Sequence, residues 1–293
     1  MTLLVRNEID VVSANIRYHL EHGADFILVT DNGSTDGTRD ILEEYSRQGV
    51  VSVIDEPSRV FDQKAWVNRM GLIAMEQFGA NILIHCDADE IWQPRSGSLK
   101  TEIARYPAPT ALSVEVINLL LADRMDTEKF PDDIQYQVCS PIAKPLATVM
   151  REVDEKSFLL YRHPAKVIYS LTDSYIEVNQ GNHGIVSPHG KKRVKVSRSN
   201  DIRILHLPVR SKSQFIKKTR NNGEGIDNFA IHQKPGAVEA WHVKRWYALY
   251  KQGRLEEEYR RLLISREDAA RLIKLGRISV VDDSAQQVLR YFS

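Results

Sequence analysis

Only two cysteines, Cys86 and Cys139, occur among the 293 residues, too few for a disulfide framework or a cysteine-based zinc site. Cys86 falls inside an apolar run, where a small buried thiol is its expected state. Long hydrophobic runs are missing as well. The longest, Ala111 to Ala122, is broken by Glu115 and Asn118, which argues against a membrane-spanning helix. The apolar start, Met1 to Val5, is too short for a signal peptide, so a cytoplasmic protein is expected. Low-complexity tracts and internal repeats are also absent. With 42% hydrophobic and 27% charged residues, the chain has the composition of a globular protein with one large core.

A large net charge is lacking too, at +1, but the balance conceals an asymmetry. Residues 1–90 carry 16 acids against 7 Lys/Arg, whereas residues 191–220 carry 11 Lys/Arg against the single acid Asp201. The basic stretch suits an anionic partner such as a diphosphate, an acidic acceptor or a membrane surface; it reads equally as a solvated loop and helix face. Phe215 is the only aromatic residue in it, so the stacking surface of a single-strand nucleic-acid binder is missing and no nucleic acid is expected.

The first third of the chain alternates in period. Leu3 to Val5, Phe26 to Thr30, Val50 to Ile54 and Ile82 to Cys86 are short, continuously apolar runs that read as strands. Between them, Glu8 to His22, Thr38 to Arg47 and Gln63 to Phe78 have helical spacing. Strands without an exposed face, alternating with helices, predict a parallel sheet covered on both sides, with ligands outside the strand carboxyl ends. Arg6-Asn7-Glu8, Asp31 to Asp36 and Asp87 to Glu90 all lie at those ends. On an extended strand Asp87 and Asp89 would share a face, Ala88 pointing away, and together they could address one hard divalent cation beside substrate phosphates.

After Gly97 the pattern is less regular. Ala111 to Leu120 reads as a long strand, and Leu159 to Tyr161, Lys166 to Tyr169, Tyr175 to Val178 and Ile202 to Val209 as shorter β segments. The interval 123–157 reads as a long loop with some helix. From Ser213 onward helices are expected, over Trp241 to Lys251, Leu255 to Ile264 and Arg266 to Leu275.

The segments Leu4-Val5-Arg6-Asn7-Glu8, Asp31-Asn32-Gly33-Ser34-Thr35-Asp36-Gly37-Thr38 and Asp87-Ala88-Asp89-Glu90 resemble, in order and spacing, the amino-terminal half of family-2-like glycosyltransferases with the GT-A fold. Gly181-Asn182-His183 and His206-Leu207-Pro208-Val209-Arg210-Ser211, with Phe215 and Lys218, resemble the later segments of one branch of that group. The resemblance implies a Rossmann-like α/β fold: a mixed, mainly parallel sheet between helices. A catalytic unit would span 1–210, with a nucleotide-binding half (1–95) and an acceptor and metal half (96–210), and a helical extension would follow over 211–293.

The resemblance also implies roles. Arg6, Glu8, Asp31, Gln63, Lys64, Asn68, Asp87 and Ala88 would border the nucleoside. Asp87, Asp89, His183 and His206 would hold Mn²⁺ or Mg²⁺, and Arg210 and Lys218 would neutralise the diphosphate. The implied reaction is metal-dependent transfer of a sugar from a UDP- or GDP-sugar to a hydroxyl of a glycan or lipid-linked glycan. Ser34 and Asp36 read equally as helix caps. No Glu-Asp pair follows where the family carries its base, and Glu224 is taken as the catalytic base ahead of Asp173 and Asp227. A second reading keeps the fold without turnover: a binding protein docking on a membrane or polyanion through residues 191–220. In either case the inner membrane face is a candidate peripheral contact.

Overall fold

The computed structural model describes residues 1–58, 62–106, 111–124, 129–143, 158–171, 176–186, 195–230 and 241–293. Its first hundred residues run β1 (Thr2–Val5), α1 (Val12–Glu21), β2 (Ile27–Asp31), α2 (Thr38–Arg47), β3 (Val51–Asp55), α3 (Gln63–Phe78), β4 (Ile82–Asp87), β5 (Glu90–Pro94) and α4 (Leu99–Ile103). There follow β6 (Ala111–Leu121), β7 (Ile134–Val138), β8 (Lys166–Ser170), β9 (Glu177–Val178), β10 (Ile185–Val186) and β11 (Val196–His206). The chain ends with α5 (Lys212–Ala230), α6 (Trp241–Lys251), α7 (Leu255–Leu262), α8 (Arg266–Lys274), β12 (Ile278–Val280) and α9 (Asp283–Leu289).

The expected mixed α/β architecture is present. β3, β2, β1 and β4 lie side by side and parallel; β8, β6, β7 and β12 continue the sheet with antiparallel pairings. β11 pairs parallel with β6 and antiparallel with β5. Strand alternation accounts for the continuous apolar runs. Ile27 and Val29 of β2, with Ile84 and Cys86 of β4, enter the core under α1, while Leu28 and Leu83 enter the core under α3. Both faces are covered, so neither can be polar.

Beyond β4 the structure departs from the sequence reading in local ways. Phe158–Leu160 is a 3₁₀ turn rather than a strand. β7 lies in the interval read as loop with some helix, and β5 starts immediately after the acidic turn. The helices after residue 211 do not stand apart: β12 extends the sheet at β7, and Leu255, Tyr259, Leu262 and Leu272 share a core with Leu119 to Leu121 and Leu205. In this core Gly223 lets α6 approach α5, because a Cβ there would sit 2.1 Å from the Tyr247 ring. Among the described residues no helix is long and apolar enough to cross a membrane.

Candidate functional site

The carboxyl ends of β1, β2 and β4 meet as expected. The β1 and β2 loops are knitted together by hydrogen bonds. Asn7 N donates to Ser34 Oγ (3.0 Å), Glu8 N to Thr38 Oγ1 (2.9 Å), and Thr35 N to Asn7 Oδ1 (2.8 Å). Gly37 sits at φ +99, strained for any residue with a Cβ, and a Cβ there would meet Ile9 Cδ1 at 2.8 Å. Asp31, almost fully buried, accepts from Ser34 N at 3.0 Å and faces Arg39 at 3.9 Å. The N-cap of α2 is Gly37; Asp36, one residue before it, accepts from both N and Oγ1 of Thr38 and pairs with Lys217 at 3.0 Å, while Ser34 serves the β1 loop instead of capping. Arg6 reaches Asn32 Oδ1 at 3.3 Å, while its Nε is buried without a hydrogen-bond partner among the described residues.

The acidic segment after β4 is a turn, not a continued strand, and the shared-face argument for Asp87 and Asp89 does not apply to it. The two carboxylates have separate partners. Asp87, at the end of β4, pairs with Lys166 of β8 at 2.5 Å and accepts from Gln63 Nε2 at 3.3 Å. Lys166 is 2% exposed and also pairs with Glu90 at 2.7 Å. Burial disfavours the Glu90 carboxylate and pushes its pKa up to about 7, while Lys166 opposes that shift. The two carboxylates in turn raise the Lys166 pKa, so its ammonium stays charged. Ala88 is buried in the turn.

Asp89 faces the later half of the chain. Its Oδ2 pairs with Lys218 of α5 and lies 3.5 Å from His206 Nε2 and 3.9 Å from Arg210 Nη1. Burial works against its charge, but these cations hold its pKa well below the ordinary carboxylate range. His206 is oriented from behind. Asn118 Nδ2 donates to Leu159 O (2.8 Å), which leaves Asn118 Oδ1 to accept from His206 Nδ1 (2.8 Å). With Nδ1 so fixed, His206 presents its Nε2 to the Asp89 carboxylate at 3.5 Å. The outer-sphere hydrogen bond is the kind that orients a metal-ligating imidazole.

The other expected site residues are distributed as follows. Arg210 is buried and grips Asp10 through two bonds (2.6 and 3.1 Å) and Glu8 through a third, so both acids and Arg210 form one ion cluster beside Asp89. Burial raises the Glu8 pKa against the pull of Arg210 and Lys218. Asn68 spends its amide on the backbone of Val178, accepting from its N (2.9 Å) and donating to its O (3.1 Å), which ties α3 to β9. Lys64 is exposed on α3, and Gln63 bridges Asp87 to Gln180 (3.0 Å). His183 is exposed and its Nδ1 donates to Ala165 O at 3.1 Å. Glu224 is exposed on α5, six residues beyond Lys218 and about 9 Å further along the axis. Asp173 and Lys191 to Arg193 lie outside the described residues, as does the side chain of Asp227.

Several residues of the site carried no sequence signal. Lys166, Asp10, Asn118 and Lys217 join it through partners far away in the chain. Asn15 and His19 of α1 hold the acidic turn from beneath: Asn15 Nδ2 donates to Ala88 O (3.0 Å) and Glu90 O (2.8 Å). His163 stacks edge-on against His206, 4.9 Å between centroids, and its buried Nδ1 has no partner among the described residues. Burial pushes its pKa down to about 2, so this ring is neutral.

The described residues include no group of three His, Cys, Asp or Glu placed to hold a metal by themselves. Asp89 and His206 supply one carboxylate and one imidazole, two groups that would need substrate oxygens to complete a cation's shell.

Residues 5–102 match glycosyltransferase family 92. No curated protein matches the chain. Among solved structures, the chain is similar to the mannosyltransferase PcManGT from Pyrobaculum calidifontis in complex with GDP-Man and Mn²⁺, at 13% identity and a TM-score of 0.39 over 99% of this chain and 77% of that one. It is also similar to S. aureus TarS 1-349 in complex with UDP-GlcNAc, at 10% identity and a TM-score of 0.42 over 99% of this chain and 88% of that one. The family match covers the β1–α4 segment that carries Glu8, Asp31 and the Asp87–Glu90 turn.

Proposed function

We propose that this chain is a glycosyltransferase that moves a sugar from a nucleoside-diphosphate donor to a hydroxyl of a glycan or lipid-linked glycan. The observation that carries the reading is the Asp89–His206 pair, backed by Asn118 and set beside the β1 and β2 loops. The glycosyltransferase family match over 5–102 supports it independently.

The nucleoside would lie over the ends of β1 and β2, with Asp31 accepting from base or ribose and Arg6 Nε, which has no partner among the described residues, donating to it. Asp87, committed to Lys166 and Gln63, would contact the ribose rather than a metal. Asp89 and His206 would hold Mn²⁺ or Mg²⁺, whose Lewis acidity offsets the charge that develops on the departing nucleoside diphosphate. Lys218 and Arg210 would then lie next to that diphosphate, and an incoming donor would compete with Asp89 for Lys218. Glu224 remains the proposed base for the acceptor hydroxyl. Its test is Glu224→Gln, which should lower kcat while leaving donor binding intact.

The silent docking alternative draws on the basic stretch 191–220. Within it, Arg210, Lys217 and Lys218 are engaged with Glu8, Asp10, Asp36 and Asp89, which favours a role inside the site over a free docking surface.

The direct test is a thermal-shift panel of UDP, GDP and their sugars, with and without Mn²⁺. A ligand at a hundred times its Kd stabilises the native state by about 2.7 kcal/mol. A rise in Tm with one nucleotide, larger with Mn²⁺, is expected. No shift with any nucleoside diphosphate contradicts the reading.

A further inference from the structure

The turn that presents Asp89 is held by a buried polar relay on α1. Asn15 and His19 are one helical turn apart and both are fully buried. Polar side chains are rarely buried this deeply unless every group is satisfied. Here the satisfaction is complete and directional. Trp92 N, in β5, donates to His19 Nε2 at 3.0 Å, so that nitrogen carries the lone pair and the proton resides on Nδ1. His19 Nδ1 then donates to Asn15 O (2.8 Å) and Asn15 Oδ1 (3.0 Å). With its oxygen so engaged, the Asn15 amide must direct its NH₂ group at Ala88 O and Glu90 O. The carbonyl between them, Asp89 O, accepts from Leu207 N at 2.8 Å. All three carbonyls of the turn are thereby fixed, and with them the direction in which the Asp89 side chain leaves the backbone.

We propose that Asn15 and His19 are positioning residues for the metal–diphosphate site: the relay Trp92–His19–Asn15 fixes the Ala88 and Glu90 carbonyls and so aims Asp89 at His206. The inference rests on the donor reading above and adds two residues that touch neither donor nor metal. Neither residue is interchangeable with a merely space-filling one. Leucine at 15 would fill the volume, take the side-chain donor from Ala88 O and leave Glu90 O to the weak thiol donor of Cys86 at 3.2 Å. At 19 the two nitrogens can be separated by substitution. Asparagine places its amide N–H near Nδ1, keeping the donor to Asn15 and losing the acceptor for Trp92, whereas glutamine reaches the Nε2 position, keeps that acceptor and drops the donor to Asn15, the link that orients the Asn15 amide.

The test is calorimetric titration of wild type, Asn15→Leu, His19→Asn and His19→Gln with UDP and with GDP, each with and without Mn²⁺, at a temperature where every variant used is folded. Loss of an outer-sphere partner typically costs about 10–100-fold in metal affinity. We expect Asn15→Leu and His19→Gln to weaken Mn²⁺-dependent nucleotide binding at least about tenfold, leaving metal-free binding unchanged, and His19→Asn to retain wild-type affinity within about threefold. Should Asn15→Leu fail to fold, the His19 pair decides alone. Equal losses in both His19 variants, or losses that track Tm and fall equally on metal-free binding, would overturn the proposal. If wild type binds neither nucleotide, the donor reading falls first and this one with it.

Discussion

The two ends of the Asp87–Glu90 turn carry the same chemistry in opposite settings. On one side Lys166, 2% exposed, is held between Asp87 and the buried Glu90. On the other, Asp89 meets Lys218, which is 29% exposed on α5, and the oriented Nε2 of His206. The first arrangement is a buried strut; in the proposed reaction the second is an exchangeable site, because Lys218 has solvent to move into. The contrast suits structure for the Asp87–Glu90 pair and ligand exchange for Asp89.

Breaking the strut should have the largest effect. Lys166→Met leaves Glu90 buried without its cation, and breaking a buried pair in this way costs about 3–5 kcal/mol. Urea denaturation should show that loss; a variant within 1 kcal/mol of wild type (a roughly fivefold change in the folding equilibrium) would mean that the pair is not a strut.

On the exchange side, Asp89→Asn keeps the shape but removes the charge. Turnover should fall about 100-fold or more. Steady-state release of nucleotide from the donor reads this out, and unaltered turnover would move the cation site elsewhere.

A third prediction concerns two buried histidines, His19 of α1 and His85 of β4. Burial pushes both His19 and His85 down to about 3, and His85 is further fixed between Thr2 Oγ1 (2.6 Å) and Tyr169 OH (2.7 Å). A histidine kept neutral in the native state contributes stability above its unfolded pKa. That stability is lost as the pH falls from about 6.5 toward 3. At pH 5 each should cost about 2 kcal/mol relative to pH 7.5. Denaturation at the two pH values checks it, and a His85→Gln variant should lose correspondingly less.

The smallest effect is expected at Lys218. Lys218→Gln removes a partly exposed ion pair worth about 0–1 kcal/mol, so stability should scarcely change. Donor affinity should nonetheless drop, because the ammonium is released toward the diphosphate. Equal donor affinity in Lys218→Gln would make it a second strut rather than an exchangeable cation.

The β1-to-β4 half was readable because its signals are local. α2 and α3 occupy the residues their spacing predicts, Thr38–Arg47 and Gln63–Phe78, and the four apolar runs are the four parallel strands. Local signals fail where an element exists only through distant pairing. β7 (Ile-Gln-Tyr-Gln-Val) gains its place from β6 on one side and from β12, about 140 residues later, on the other. β5 follows the acidic turn without a break because β11 pairs with it from residues 202–206. The site divides in the same way. Asp31, Asp87 and Asp89 were legible as acids at strand ends, and His206 by its segment. Lys166 lies 79 residues from Asp87, and nothing in its neighbourhood marks a buried ammonium. Asn15 and His19 look like polar positions on an amphipathic helix; their burial follows from how α1 packs on β5.

In the proposed reaction Asp89 and His206 form an exchangeable cation site for a nucleoside-diphosphate donor. Its most direct test is nucleotide release from a panel of UDP- and GDP-sugars by wild type, first stripped with EDTA and then resupplied with Mn²⁺. Turnover that vanishes with EDTA, returns with Mn²⁺ and does neither in His206→Ala is the expected result. Undiminished turnover in EDTA would contradict it and leave Lys218 and Arg210 as the only cations the reaction needs.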